Sequence, residues 1–261
     1  MFRKILFILL TTIVCFLFLY VRTNQWKSVF KDVSKYQTIE LIGKGDEFAL
    51  LLNNNIQVFS GEYDTSHKIQ CHFPIKKYNP KKILILGGGD LLAAKYCLEF
   101  PQIEKVTICE IDEKVVKFAK TNEIFKEITN DISKNEKLNI EIGDAIEFVK
   151  KVKKDEYDLI IEDVEIDFTM QNQEINRGSF LKMCLEKAKV FSGTVPDHSF
   201  KNLSLEREFK EITDEKHLFK GIGFTESEFK EIKSILDDKR IEACIQNYGY
   251  IYGKEAYIVI S

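Results

Sequence analysis

Residues 81–112, which read KKILILGGGDLLAAKYCLEFPQIEKVTICEID, constrain the fold of this chain more than any other stretch. An apolar run of buried-strand type at 83–86 stops at Gly87, Gly88 and Gly89. A helical pattern follows at once, and a second β-rich run at 106–109 closes on Glu110 and Asp112. This is one βαβ unit. Its first turn carries no side chains, so a ligand can approach the backbone at the helix N-terminus. About 20 residues later an acidic residue stands where a ribose hydroxyl is gripped. The layout points to a nucleoside.

Which nucleoside depends on what the turn lacks. A dinucleotide fingerprint needs a third glycine three residues beyond the second, and that position here is Leu92. Asp90 also places a carboxylate at the mouth of the turn, where a diphosphate would be repelled and a sulfonium or amine attracted. An S-adenosylmethionine-type nucleoside satisfies both conditions. The plainer alternative is a glycine turn that only joins a strand to a helix.

The α/β alternation continues downstream. A helix is expected over 113–120, a strand over 138–142, Gly143 and Asp144 open a helix over 145–152, and a strand over 157–161 leads to Glu162 and Asp163. Strands separated by helices argue a mainly parallel, doubly wound sheet that binds ligands outside its strand C-termini. Asp90, Glu110, Asp144 and Asp163 all fall at such ends, although a strand-end acid such as Asp144 also suits a helix cap. A helix at 178–189 and the region 191–196 continue the pattern less cleanly, since Pro196 cannot serve a central strand. Residues 201–239 read as Lys- and Glu-rich surface helices, and β-type runs at 240–247 and 256–260 as a closing hairpin.

Ahead of the glycine unit, residues 5–21 form a continuous apolar run long enough to cross a bilayer as a helix, with no small-residue cleavage site after it. An uncleaved single-pass anchor over 1–23 is expected, then a polar tether at 24–35. Strands at 36–42, 47–52 and 56–59 make a small β domain over 36–74, the last two joined by the turn-forming Asn53, Asn54 and Asn55. A helix at 64–73 and a turn at 74–80 lead into a Rossmann-like domain over 75–261. The six cysteines lack any C-x-x-C pair and read as buried thiols. His72, His198 and His217 share no metal-ligand spacing, so no metal is expected. The net charge of −3, with 38 basic residues spread along the chain, argues against a nucleic-acid partner.

From about residue 36 to the end, these motifs resemble the polyamine aminopropyltransferases, the spermidine synthase family. The Tyr36-Gln37 pair and the Asn53 to Gln57 hairpin are similar to the family's first domain. Gly87-Gly88-Gly89-Asp90 resembles its GGGDGG, Glu110-Ile111-Asp112 its acidic second-strand end, Gly143-Asp144-Ala145 its GDA, and Asp163 the first Asp of its DSSD. Tyr250 falls where the family has a substrate-side tyrosine. The resemblance implies a methyltransferase-like Rossmann fold with a small N-terminal β domain. It also implies transfer of an aminopropyl group from decarboxylated S-adenosylmethionine, a co-substrate, to a polyamine such as putrescine, with no prosthetic group. Carried over by position, Asp163 is the catalytic base. Gln37, Gly87, Gly89, Asp90, Glu110 and Asp144 hold the donor, and Tyr250, Glu62 and His67 line the acceptor side.

The departures are as informative. Leu91 and Leu92 replace a Gly-Gly pair and are expected to crowd the donor; Ile166 stands for the second Asp of DSSD, and Lys68 for an acid. These changes leave two rival readings open, an inactive nucleoside-binding scaffold and a methyltransferase using intact S-adenosylmethionine. The resemblance leaves room for a homodimer. A cytosolic donor and the lack of disulfide spacing lead to the expectation of a cytoplasmic catalytic domain.

Overall fold

The computed structural model describes residues 25–61, 63–164, 177–195, 241–248 and 253–260. The chain divides into two compact units, Met1–Asp64 and Thr65–Ser261. Among the described residues no helix is long and apolar enough to cross a membrane, and residues 5–21 lie outside them.

The first unit holds a four-stranded antiparallel meander: β1 (Lys27–Val33), β2 (Thr38–Lys44), β3 (Glu47–Leu52) and β4 (Asn55–Phe59), in that spatial order. The β3–β4 hairpin turns on Asn53 and Asn54, both at positive φ (49° and 66°), a conformation asparagine tolerates better than most residues. Ile39, Leu41, Leu50 and Val58 have no exposed surface and form the core. Strand β1 is a correction, because residues 24–35 were expected to be a tether. Phe30 pairs with Leu41 and Asp32 with Ile39, so these two half-buried side chains share the core-facing side. Lys31 and Val33 take the other face, and a register shift between Ser28 and Phe30 breaks the alternation that a hydrophobicity pattern would show.

The second unit is a seven-stranded sheet in the order β10-β11-β9-β8-β5-β6-β7. It comprises β5 (Lys82–Gly87), β6 (Lys105–Glu110), β7 (Leu138–Ile142), β8 (Tyr157–Asp163), β9 (Ala188–Val195), β10 (Ile241–Tyr248) and β11 (Gly253–Ile260). Strands β5 to β9 are parallel, and β11 and β10 close the edge as an antiparallel hairpin. The helices are α1 (Tyr63–Tyr78), α2 (Leu92–Leu98), α3 (Glu113–Thr121), α4 (Glu123–Ile128), α5 (Ala145–Lys151) and α6 (Arg177–Lys187). From β5 the chain winds to β6 and β7 on one side, then returns to β8 and β9 on the other. The C-terminal ends of β5, β6 and β8 therefore surround the point where the winding reverses.

Helix α1 runs through Pro74, where a turn was expected. Proline has no N–H to give the carbonyl four residues back, which is that of Gln70. The Ser192 hydroxyl, from β9, donates to that carbonyl oxygen at 3.1 Å instead. Both residues are buried, so the freed group is satisfied from outside the helix and the helix can continue. Residues 191–195, irregular on sequence, are the second half of β9, and Pro196 lies outside the described residues. Among the described cysteines, Cys71, Cys97, Cys109 and Cys184 are buried and form no disulfide.

Candidate active site

The turn after β5 is built from backbone that side chains resist. Gly87 and Gly88 lie at φ 84° and 73°, and Leu91 follows at 72°. A Cβ on Gly87 would strike the Asp163 carbonyl, one on Gly88 would lie 3.3 Å from Asp163 Oδ2, and one on Gly89 would lie 2.7 Å from Glu110 Cγ. The glycines are thus required by the Asp163 backbone, the Ile85 side chain and the Glu110 carboxylate before any ligand arrives. Leu91 keeps the left-handed conformation at a cost of roughly 1–2 kcal/mol for a residue with a side chain. Leu91 and Leu92 are both buried. The Asp90 carboxylate accepts from Leu92 N–H at 2.9 Å and so satisfies the start of α2 in place of a capping residue.

Glu110 closes the turn from the β6 side. One carboxylate oxygen accepts the Gly89 N–H at 3.1 Å and the other the Asp112 N–H at 2.9 Å. Burial pushes its pKa above the ordinary carboxylate value, and these two backbone bonds hold it back. Each oxygen keeps acceptor capacity for a ligand hydroxyl. Asp112 is buried and caps α3 through Lys114 N–H. Asp144 caps α5, accepting from Glu147 N–H at 3.0 Å, and stands exposed at the sheet edge two residues after the half-exposed Ile142.

Asp163, at the end of β8, is the most perturbed carboxylate of the site. Its pKa is pushed up to about 6, first by burial; the facing His67 opposes the shift, while Asp90 and Glu110 add to it. His67 is buried and lies over the Tyr96 ring, the centroids 6.1 Å apart and the planes 22° from parallel. One ligating atom each from His67, Asp90 and Asp163 all fall within 4.8 Å of one another. Two carboxylates and an imidazole so close form an anionic notch. Its chemistry suits a divalent cation or an ammonium group.

Gly87, Gly89, Asp90, Glu110, Asp163 and His67 are therefore brought together. Gln37 belongs to the first unit, where its N–H donates to Ser34 Oγ at 3.0 Å. Glu62 and Tyr250 lie outside the described residues, as does Ile166. Lys68 places its Nζ 5.9 Å from the centre of the Tyr96 ring. Sequence reasoning passed over Gln70 and Tyr96. Gln70, buried, donates from Nε2 to the Glu162 carbonyl at 2.8 Å and so fixes the end of β8 against α1. Its spacing of three from His67 on one helix was the available signal.

The spermine/spermidine synthase domain model matches residues 64–202. Among curated proteins, a polyamine aminopropyltransferase of Clostridium tetani is 32% identical over 173 residues, covering 63% of this chain and 59% of that protein. One from Methanocaldococcus jannaschii is 32% identical over 137 residues, covering 52% and 45%. The chain thus spans less than two thirds of the length of these relatives. Among solved structures, the spermidine synthase of Thermotoga maritima superposes with a TM-score of 0.68 at 22% identity, over 89% of this chain and 71% of that one. A spermidine synthase in complex with the transition-state analogue AdoDATO gives 0.69 at 23%, over 89% and 73%. These structural matches share the fold: the parallel α/β sheet preceded by an N-terminal β sheet.

Proposed function

The chain belongs to the spermine/spermidine synthase family, and from that premise we propose that it transfers an aminopropyl group from decarboxylated S-adenosylmethionine to an amine such as putrescine. The observation that carries the proposal is the notch of Asp163, Asp90 and His67 beside Glu110. The donor is already activated by its sulfonium. A neutral amine attacks the propyl carbon, the new N–C bond forms as the C–S bond breaks, the electron pair goes to sulfur, and methylthioadenosine leaves. Asp163 receives or steers the proton of the attacking nitrogen, and a pKa near 6 leaves it ionised at neutral pH and ready for that task. Glu110 holds the ribose, Asp144 the adenine amino group and Asp90 the donor's amine. Gln37, Glu62, His67 and Tyr250 line the two substrates.

The methyltransferase reading is separated from this one by a single carboxylate. The methionine carboxylate of intact S-adenosylmethionine would meet Asp90, a repulsion of roughly 1–4 kcal/mol at about 4 Å in a partly screened site. Titration calorimetry should show tighter binding of the decarboxylated donor, and the reverse order would establish the methyltransferase reading. The inactive-scaffold reading draws on Lys68 and Ile166; it is tested by turnover.

The apolar run at residues 5–21 supports a single-pass anchor, and a cytosolic donor together with the lack of disulfide spacing favours a cytoplasmic catalytic unit. The chain should stay with membranes through a carbonate wash. Release into the supernatant, or a mature N-terminus near Thr23, would replace the anchor with a cleaved signal.

A further inference from the structure

The notch beside the glycine turn is more than an acidic patch, because a buried imidazole completes it. One atom each from His67, Asp90 and Asp163 lies within 4.8 Å of the other two, with His67 on α1, Asp90 on the glycine turn and Asp163 at the end of β8. One imidazole nitrogen with two carboxylate oxygens is a ligand set that suits zinc, manganese, iron or cobalt as divalent ions. Histidine spacing along the chain could not disclose it, because a single histidine takes part and each ligand comes from a different element. Each ligand is also held from behind. Leu92 N–H donates to Asp90 at 2.9 Å, Gln70 hydrogen-bonds the Asp163 side chain, and the His67 ring lies against that of Tyr96. Supports of this kind fix the orientation of metal ligands.

Charge favours a dication over a single ammonium. Asp90 and Glu110 both act on Asp163 as like charges, and an ion of charge +2 relieves more of that repulsion than an ammonium does. We propose that His67, Asp90 and Asp163 bind a divalent transition-metal ion, and that this ion and the acceptor's ammonium exclude one another. Neighbouring ligands at about 2.1 Å from one ion stand roughly 3–3.5 Å apart, so the three atoms draw in from at most 4.8 Å, a shift that rotation of the carboxylates supplies. The ion acts as an inhibitor, since it occupies the carboxylate that the reaction needs for the proton of the attacking nitrogen. The exclusion rests on the aminopropyl-transfer reading above; the metal site does not.

The test uses the full chain in detergent, stripped of metal by a chelator and titrated with cobalt(II), whose visible absorption reports on its ligands. Wild type should take up cobalt saturably, with the absorption bands growing in step. His67→Gln and Asp163→Asn should each weaken uptake at least about tenfold, each variant being checked for a cooperative melt. Asp90→Asn keeps an acceptor for Leu92 N–H and gives a third reading if either of the others fails to fold. His72→Gln should bind cobalt as wild type does; His72 lies 3.0 Å from Glu99 and is a competing pair outside the notch. Excess putrescine should bleach the spectrum. Absence of saturable uptake overturns the metal site, as does uptake that survives the loss of His67 and of either acid. A spectrum that persists in excess putrescine overturns the exclusion. Release of methylthioadenosine by a chain that binds no cobalt would remove the metal site and leave aminopropyl transfer standing, whereas cobalt held at the notch of a metal-free chain that shows no turnover would do the reverse.

Discussion

Burial of Asp163 costs the folded chain stability at neutral pH. Its folded-state pKa of about 6 stands above the ordinary 3.8, so the folded chain holds an extra proton between those values, and stability falls as pH rises through that window. Asp163→Asn should therefore raise the melting temperature at pH 7, and the gain should vanish below about pH 4, where wild type is also neutral. The same substitution should lower turnover about 100- to 10,000-fold with little change in donor affinity. In wild type, kcat/KM should fall away below about pH 6 as the base is protonated, and the variant should lack that limb. Turnover within a few-fold of wild type would reduce Asp163 to a strand-end carboxylate. Glu110→Gln should show the opposite pattern, with the loss in donor binding measured by calorimetry. Gly89→Ala should resemble it, because the added methyl group would displace the Glu110 carboxylate. Both acids were legible in the sequence because strand ends are; Gln70 and Tyr96 were not, because nothing local reveals which helix faces which strand.

Helix α1 shows why element boundaries were harder to read than element types. Pro74 is a local stop signal, overruled by a hydroxyl that arrives from β9, 122 residues away from Gln70 in sequence. Ser192→Ala should strand the Gln70 carbonyl and destabilise the fold by about 1–3 kcal/mol in denaturant titration. Restoring an N–H with Pro74→Ala in the same chain should recover part of that loss, whereas strict additivity of the two substitutions would show that the carbonyl had another partner. Strand β1 escaped notice for a different reason. A register shift between Ser28 and Phe30 interrupts its alternation, so its hydrophobicity has no clean period, and its pairing with β2 makes it a strand. The glycine turn was recognised with its neighbours, but the source of its constraint was not. Asp163 and Glu110 press on it from either side, and that closeness depends on the order of strands β8, β5 and β6.

At the scale of the molecule, the alternation of apolar strands with helices was enough to foretell a parallel sheet, and the two terminal β runs to foretell its hairpin edge. The winding order follows from chain handedness and connection length, which a single sequence states only implicitly. Of the residues proposed for the donor, Gly87, Gly89, Asp90, Glu110 and Asp144 lie within one compact unit and Gln37 in the other. Gln37, Glu62 and Tyr250 remain proposals from the family's pattern, as does the altered acceptor side read from Lys68. The decisive measurement is therefore turnover: the full chain incubated with decarboxylated S-adenosylmethionine and a panel of amines, with methylthioadenosine followed by chromatography. Release of methylthioadenosine dependent on at least one amine is the predicted result, and its absence with every amine from a chain that binds the donor would contradict the assignment of aminopropyl transfer.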